Sequence, residues 1–255
     1  MTPSPPNLDG ARIVRTSAFD ELDDVGAFVV AHSEVLVVDG DHGVGKRTLI
    51  SDWAGRQTVP VASVSLPPRQ SSRDIARLIH AAVTRDAESD EMTERDLQDD
   101  LVTLLSSPGI LVIRNAHRLS GEAAGQLEWL HSAAAGGRAL VIEGGPGTAT
   151  AIERDALLRG SVACTLTVQP LKGRELLDVL QQMHMLFLGA EPDLLVEIDT
   201  RVCHGLLLHW ARFLQVALRL RQRAVSNGRS APVLDRKFAK AVLAGMPATI
   251  TRKRT

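Results

Sequence analysis

Residues 35–50 read VLVVDGDHGVGKRTLI, and they combine a strand pattern, a glycine-rich turn and the start of a helix. The apolar run 35–38 predicts a buried strand, and an amphipathic helical pattern begins after Lys46. Between them, Gly40 and Gly45 are separated by four residues and followed by the lysine, which is the G-x-x-x-x-G-K spacing of a phosphate-binding loop. Glycines let backbone N–H groups close around phosphate oxygens at the positive end of a helix. The candidate nucleotide-binding residues are Gly40, Asp41, His42, Gly43, Val44, Gly45, Lys46, Arg47 and Thr48.

The loop departs from its usual pattern at the residue after the lysine. A serine or threonine there normally supplies a hydroxyl ligand to Mg²⁺, but position 47 is arginine and a threonine follows one place late, as Thr48. An arginine can neutralise phosphate charge without a metal. The sequence therefore predicts that the loop binds the phosphates of a nucleotide, and it puts a role for Mg²⁺ in doubt.

Apolar runs alternate with helical patterns along the first two thirds of the chain. The predicted strands are 35–38, 61–66, 110–113, 139–142 and 162–168. Helical patterns lie at about 46–55, 71–85, 94–106, 119–134 and 150–158, with Thr93 as a candidate helix cap. Near-continuous apolar strands separated by helices are typical of an α/β fold with a parallel sheet covered on both faces.

After about residue 170 the strand pattern ends. Helical patterns at about 172–188, 191–203, 205–225 and 234–244 predict a small helical lid domain. We therefore expect four segments: a disordered N-terminal segment at 1–11, the α/β nucleotide-binding domain at 12–170, the lid at 171–245 and a basic tail at 246–255.

A second nucleotide motif is expected where another strand ends, at GILVIRNAHRLS, 109–120. P-loop enzymes place an acid there to orient Mg²⁺, and in many of them a neighbouring glutamate polarises the attacking water. In this chain Arg114 stands at the metal-binding position and Asn115 at the water-activating position. The apolar strand of the motif is kept, and both carboxylates are missing.

These motifs resemble those of AAA+ ATPases, specifically the transposition-regulator and ExeA-like group, the MuB, TnsC and TniB family. The resemblance spans about 12–225 and is carried by GDHGVGKRT and LVIRNAHRL, including Ala116, His117 and Leu119. The upstream segment IVRTSAFDEL, 13–22, is similar to the family segment that approaches the adenine. The resemblance implies a P-loop fold, ATP binding, assembly as a homo- or hetero-oligomer on DNA, and work alongside a transposase.

Several family positions are altered in this chain. Arg47, Arg114 and Asn115 replace the metal hydroxyl, the metal carboxylate and the catalytic glutamate, so we expect impaired hydrolysis and assign no catalytic residue. Gly144 stands where a polar sensor residue is common, and Leu208 and His209 stand near a frequent sensor arginine. Glu143 is a weaker candidate for a substitute base.

The charge distribution is strongly asymmetric. Residues 201–255 carry twelve Lys or Arg and one acid, or +11, and the other 200 residues carry 17 basic and 29 acidic side chains, or -12. A basic end suggests a polyanion partner, although the tail could instead neutralise the acidic body. We expect contact with the DNA backbone without sequence preference, through Arg212, Arg219, Arg223, Arg252, Lys253 and Arg254.

The remaining patterns argue against a secreted, membrane-spanning or metal-binding protein. Cys164 and Cys203 have no partners at metal-ligand spacing, no secretory signal begins the chain, and no apolar run could span a bilayer. We therefore expect a cytoplasmic protein without a metal site of its own and without membrane contact. Three functions stay open: a hydrolysis-impaired, DNA-binding regulator of transposition, a pseudo-ATPase scaffold beside an active partner, and an active ATPase with a rearranged site.

Overall fold

The structure is a computed structural model that describes residues 8–85, 92–134, 136–153 and 155–246. The strands are β1 (Val35–Gly40), β2 (Val61–Ser65), β3 (Gly109–Arg114), β4 (Arg138–Glu143) and β5 (Val162–Val168). The helices before β5 are α1 (Ser17–His32), α2 (Lys46–Gly55), α3 (Ser72–Thr84), α4 (Glu94–Leu105), α5 (Gly121–Ala133), α6 (Thr148–Glu153) and α7 (Ala156–Gly160). The helices after β5 are α8 (Gly173–Met183), α9 (Met185–Leu188), α10 (Pro192–Ile198), α11 (Leu207–Ser226) and α12 (Arg236–Ala244).

The described chain divides into two compact units. The sheet unit comprises Ala18–Asp41 and Leu49–Val168, and the lid unit comprises the described residues of Met1–Ser17, His42–Thr48 and Gln169–Thr255. The turn of the phosphate-binding loop therefore packs as part of the lid unit, although the strand before it and most of the helix after it belong to the sheet unit.

The sheet has five parallel strands in the order β2-β3-β4-β1-β5, which confirms the predicted parallel sheet. Alternate residues of a strand face opposite sides. One face joins α3, α4 and α5 in an apolar core through Val37, Ile113 and Ile142. Residues that point the other way, such as Leu36 and Val112, are also fully buried, so both faces are covered.

The register of the sheet aligns the chemistry at its carboxyl edge. Arg114, the last residue of β3, pairs with Ser65 on β2 and with Glu143 on β4. Glu143 in turn pairs with Val38 on β1, two residues before the chain leaves the sheet at Gly40. Paired residues point to the same side of a parallel sheet, so Arg114 and Glu143 share one face of the sheet.

Helix α1 is not among the helices that the sequence patterns predict. It buries Leu22, Gly26 and Val29, and Gly26 lies against Trp53 of α2. A Cβ atom at position 26 would come within 2.7 Å of the Trp53 ring, so the close approach of the two helices requires glycine. This glycine weakens the apolar pattern of the segment, because glycine inside a helical stretch normally counts against a helix.

The other helices follow the prediction with local breaks. Thr93 is confirmed as a cap, since its hydroxyl accepts the Asp96 N–H at 3.2 Å. The pattern at 172–188 forms two helices because the backbone of His184 is extended and its Nδ1 accepts the Leu186 N–H at 2.9 Å. The pattern at 150–158 likewise forms two short helices, and Asp155 caps the second.

The lid unit has its own core, built on the aromatic side chains Phe187, Trp210 and Phe213. Asp199 braces this core, because its Oδ1 accepts both the Trp210 indole N–H at 3.0 Å and the Gly205 N–H at 2.7 Å. These bonds fix the start of α11, which contributes to the candidate site described below.

The N-terminal segment differs from expectation after residue 7. Residues 1–7 lie outside the described chain, but Leu8 is buried in the lid core and the Asp9 carbonyl accepts a hydrogen bond from His184. The assignment of residues 8–11 to a disordered segment is therefore corrected. An isolated leucine in a polar, proline-rich stretch carries no periodic pattern from which this contact could be read.

Two further sequence expectations concern thiols and membranes. Cys203 is buried and Cys164 half-buried, and neither forms a disulfide. Within the described residues, no helix combines the length and the apolar character needed to cross a bilayer.

Candidate functional site

The phosphate-binding loop begins where β1 ends, and sterics fix Gly40 there. Gly40 has φ +134°, a backbone conformation that L side chains rarely adopt. A Cβ atom at this position would collide with the Val168 carbonyl oxygen on β5. The first glycine of the motif is therefore required by the sheet itself, whatever binds in the loop.

The turn of the loop packs against the start of α11 within the lid unit. Gly43 (φ +93°) and Gly45 (φ +103°) both have positive φ angles. The Leu208 N–H donates to the Gly43 carbonyl oxygen at 3.0 Å. Cβ atoms added at the two glycines would lie 2.9 Å from Leu208 Cβ and 3.0 Å from Leu207 Cδ1. The loop glycines thus allow a close contact between the loop and the lid helix.

The first turn of α2 presents the positive groups expected of a phosphate site. Lys46 opens the helix and is 5% exposed, while Arg47 is exposed and Thr48 half-buried. No acidic residue occupies this first turn. The partial positive charge of the helix end is therefore not offset by a carboxylate within the turn, which favours an anionic ligand.

The end of β3 holds the two predicted replacements, and both side chains are engaged in hydrogen bonds. The Arg114 guanidinium donates from Nε to Ser63 Oγ at 2.9 Å and from Nη2 to Ser51 Oγ at 3.1 Å. Ser63 lies on β2 and Ser51 on α2, so the arginine links a strand to the helix that follows the loop. Serine hydroxyls far apart in the sequence give no signal for this arrangement.

Asn115 follows with a left-handed backbone and its own bond. Its φ and ψ are +61° and +35°, and its Nδ2 donates to Ser65 Oγ at 2.8 Å. Asparagine tolerates the left-handed region better than most residues. The position that holds a catalytic glutamate in the resembled family therefore carries a neutral amide bonded to the neighbouring strand.

These residues do not suit Mg²⁺. The ion prefers oxygen ligands, yet the two positions that would supply them carry the guanidinium groups of Arg47 and Arg114. Among the described residues, no group of three or more His, Cys, Asp or Glu side chains could hold a metal ion. Nucleotide phosphate fits the loop, and no step through a metal follows from this residue set.

The end of β4 explains the altered sensor position. A Cβ atom at Gly144 would collide with the hydroxyl of Thr148, which is fully buried and donates to the Gly145 carbonyl at 2.7 Å. A polar sensor side chain has no room at 144. The preceding residue, Glu143, is 8% exposed, and its Oε2 has no hydrogen-bond partner among the described residues.

Of the two residues that the resemblance places near a sensor arginine, Leu208 lies on the loop, and the His209 ring lies against the Val202 carbonyl instead. His209 Nδ1 lies 3.2 Å from the Val202 carbonyl oxygen. Burial lowers the pKa of His209 below its ordinary value, and the hydrogen bond to Val202 acts in the opposite direction. The helix therefore offers the loop an apolar side chain and a backbone N–H in place of a guanidinium.

The predicted DNA-binding arginines of the lid lie on one exposed face of α11. Arg212, Arg219 and Arg223 are exposed, and none forms an ion pair with another described residue. By contrast, Arg201 and Arg236 both bind Glu197, at 3.2 and 2.9 Å. The other predicted DNA contacts, Arg252, Lys253 and Arg254, lie outside the described residues.

Comparison with known proteins shows what part of the chain, and which fold, is similar to proteins already described. Residues 30–146 match the model of an AAA domain family. No curated protein matches the chain at a significant level.

Solved structures extend the likeness over most of the chain. The ADPNP–ADP complexes of the Aeropyrum pernix ORC2 protein superpose with a TM-score of 0.69 at 16% identity, covering 92% of this chain and 69% of that one. The Aeropyrum pernix ORC1 protein in complex with DNA gives 0.62 at 18% identity, covering 91% and 66%. The Thermotoga maritima RuvB Holliday junction branch migration motor gives 0.58 at 14% identity, covering 89% and 68%.

The matched family segment contains both nucleotide motifs, from the strand before the loop to the end of β4. The likeness to the solved structures includes the helices that follow the sheet. This chain therefore has the AAA-domain fold of P-loop ATPases, with a C-terminal helical region after the five-stranded sheet.

Proposed function

We propose that this chain is an AAA-type protein that binds ATP or ADP and hydrolyses it poorly or not at all. The observation that carries the proposal is the contrast between the loop, with its glycine geometry and buried Lys46, and the end of β3, where Arg114 and Asn115 replace carboxylates. An arginine can neutralise phosphate charge, but it cannot polarise an attacking water as a carboxylate does.

The proposal includes DNA as a partner. Arg212, Arg219 and Arg223 form an exposed basic stripe on α11, in a chain whose residues 201–255 carry a charge of +11. Among the similar structures, the ORC1 protein is in complex with DNA and RuvB is a branch migration motor. The sequence resemblance to transposition regulators extends the proposal to an accessory role in DNA transposition or a related mobile-element process, as a homo- or hetero-oligomer beside a transposase.

The DNA proposal is tested by the salt dependence of binding to unrelated duplexes. If about four phosphates are contacted, the log–log slope is near -3.6, and affinity falls roughly a hundredfold between 50 and 200 mM salt. Replacing Arg212, Arg219 and Arg223 together with alanine flattens the slope and lowers the affinity equally for unrelated sequences.

The matched control replaces Arg201 and Arg236 with alanine. Both arginines already bind Glu197, so their loss changes DNA affinity less than the loss of the stripe. Truncation after Ile250 tests Arg252, Lys253 and Arg254 separately. The full chain, with and without ATP, could bind no DNA or bind it without salt dependence. Either result would favour the alternative function, a pseudo-ATPase scaffold beside an active partner.

A second candidate function is an active ATPase with a rearranged site. Glu143 favours it, because this buried carboxylate with an unpartnered oxygen ends the strand beside β1. In this version Glu143 takes the proton of the attacking water. Phosphate release by the unaltered chain that disappears in both Lys46→Ala and Glu143→Gln would favour this function over the first.

A further inference from the structure

The first turn of α11 is capped by the phosphate-binding loop, within the lid unit to which both belong. The helix begins at Leu207, and the residue before it, Leu206, has no side chain that accepts a first-turn N–H as a capping side chain normally does. The Gly43 carbonyl oxygen of the loop accepts the Leu208 N–H at 3.0 Å instead. A backbone carbonyl of the loop therefore takes the place of a polar capping side chain.

This hydrogen bond also sets the direction of the next amide in the loop. The peptide between Gly43 and Val44 is planar and trans, so its carbonyl oxygen and its N–H point in opposite directions. Because the carbonyl oxygen points at Leu208, the Val44 N–H points away from α11. Among the described residues, this N–H has no hydrogen-bond acceptor. A loop amide with a fixed direction and no acceptor in the protein suits a phosphate oxygen.

Two leucine side chains leave the loop backbone no room to shift towards the helix. A Cβ atom at Gly43 would lie 2.9 Å from Leu208 Cβ, and one at Gly45 would lie 3.0 Å from Leu207 Cδ1. Carbon atoms normally pack about 3.5–4.0 Å apart, so both leucines lie directly on the loop backbone. Leu207 also packs against the lid core, whereas Leu208 is 39% exposed and stands outside that core.

The start of α11 is itself held by the lid core. Trp210, two positions after Leu208, is fully buried, and its indole N–H donates to Asp199 at 3.0 Å. On the other side, the Leu206 N–H donates to the Cys203 carbonyl at 2.9 Å. Since Leu208 is fixed from both sides, it sets the position of the loop and does not simply follow it.

The contact carries no charge that could distinguish one nucleotide from another. Residues 206–210 read LLLHW, and the first arginine of the helix, Arg212, is exposed and follows Leu208 by four positions. The His209 ring lies against the Val202 carbonyl. A cationic side chain at the loop would favour the ligand with more phosphate charge. A backbone N–H and apolar side chains that touch only the loop backbone act on the shape of the loop and not on the number of phosphates.

We propose that Leu208 is a positioning residue of the phosphate-binding loop and that it raises the affinities for ATP and ADP by the same factor. This inference rests on the nucleotide binding proposed above. Leu208 acts through Gly43 and Val44 and does not itself touch the nucleotide. The lid helix therefore supports the loop equally before and after loss of a γ-phosphate.

The test is isothermal titration calorimetry of the full chain with ATP and, separately, ADP. Leu208→Ala removes the side chain beyond Cβ, and both affinities fall about fivefold, as expected for part of one apolar side chain. Because Leu208 lies outside the lid core, the melting temperature of the nucleotide-free chain stays the same. Leu208→Met keeps an apolar side chain of similar volume and retains both affinities.

Val225→Ala is the matched control. Val225 is an exposed apolar residue near the other end of the same helix, so its loss leaves both affinities unchanged. Three results for Leu208→Ala would each overturn the inference: unchanged affinities, a loss for one nucleotide alone, or a loss accompanied by a lower melting temperature of the nucleotide-free chain.

Failure of this inference and failure of the proposed function give different results. If the unaltered chain binds neither nucleotide, the proposed nucleotide binding fails, and the role of Leu208 fails with it. If the unaltered chain and Leu208→Ala bind both nucleotides with equal affinity, the nucleotide binding stands and only the positioning role is overturned.

Discussion

The turn after β1 and the turn after β3 carry the two predicted nucleotide motifs, and they differ in how much of the expected residue pattern each one has. In the first, Gly40, Gly43 and Gly45 keep their positive φ angles, and Lys46 opens the helix. In the second, the strand is intact, but its end carries Arg114 and Asn115 bonded to the serines of neighbouring elements.

In this chain the backbone geometry of the loop and the side chains at the end of β3 therefore follow separate constraints. Any side chain at position 40 would collide with the Val168 carbonyl oxygen, so the packing of the sheet requires glycine at the start of the first motif. The side chains of the second motif lie at the edge of the sheet, where new hydrogen bonds can replace carboxylates without moving the strand.

The largest effect is expected from rebuilding the second motif. The triple change Arg47→Thr, Arg114→Asp and Asn115→Glu restores the hydroxyl and both carboxylates, and we expect Mg²⁺-dependent phosphate release to rise about a hundredfold or more. Steady-state phosphate release is the measurement.

Single changes serve as controls for the rebuilt motif. Arg114→Asp alone places a new carboxylate opposite Glu143 in the sheet register and is expected to release no more phosphate than the unaltered chain. Turnover by the unaltered chain at the rate of the triple variant, abolished by Lys46→Ala, would show that the second motif was never impaired.

The next effect concerns the first motif. At a hundredfold excess over Kd, a nucleotide adds about 2.7 kcal/mol to the free energy of unfolding, which raises the melting temperature by roughly 5–10 °C for a chain of this size. We expect ATP and ADP to give this shift without Mg²⁺, and Lys46→Ala to remove most of it in a thermal melt. Equal shifts in the variant and the unaltered chain would place the nucleotide elsewhere.

A smaller change, this time in folding stability, is expected from replacing Arg114 at the end of β3 and Arg47 in the loop. Arg114→Met removes the donor that the Ser51 and Ser63 hydroxyls share and should lower the free energy of unfolding by about 0.5–1.5 kcal/mol. Arg47→Met is the matched control: Arg47 is exposed, so its loss should cost less than about 0.5 kcal/mol. Denaturant unfolding compares the two, and equal costs would contradict a structural role for Arg114.

The smallest effect is a pH dependence of the lid unit, which holds the turn of the first motif. Burial lowers the pKa values of His184 and His209 below their ordinary value of about 6.5. The unfolded chain therefore takes up protons first, so the stability that these residues contribute is present above pH 6.5 and is lost as the pH falls from 6.5 through the lower folded-state pKa values.

His184 makes the pH effect specific. Its Nδ1 accepts the Leu186 N–H, so its Nε2 donates to the Asp9 carbonyl, and protonation would break the first of these bonds. Melting temperatures between pH 5.5 and 7.5 should slope upward with pH, and His184→Asn should flatten the slope. If the melting temperature of the unaltered chain did not change with pH, the pKa values of His184 and His209 would not be lower in the folded chain than in the unfolded chain.

Much of the fold can be predicted because its patterns are local. The strand-loop-helix at 35–55 follows from apolar runs and glycine spacing, and the five strands follow from short apolar runs between helical patterns. Helix α1 cannot be read in this way, since Gly26 is explained only by the Trp53 ring that packs against it. The breaks at His184 and Asp155 likewise depend on single side-chain bonds to the backbone.

The candidate site divides in the same way. Chain order and spacing alone predict which residue stands at each nucleotide position: Lys46 in the loop, and Arg114 and Asn115 after β3. They also place the arginines of α11 on one helical face. These assignments need only the periods of strand and helix, so they can be made without any knowledge of the packing.

What those residues touch depends on the packed molecule. The Leu208 N–H reaches the Gly43 carbonyl from 165 positions away in the chain, and Arg114 reaches Ser51 and Ser63 across 63 and 51 positions. Hydrogen bonds and steric contacts depend on distances in space, which the parallel register and the helix packing set, and no local pattern of residues encodes those distances.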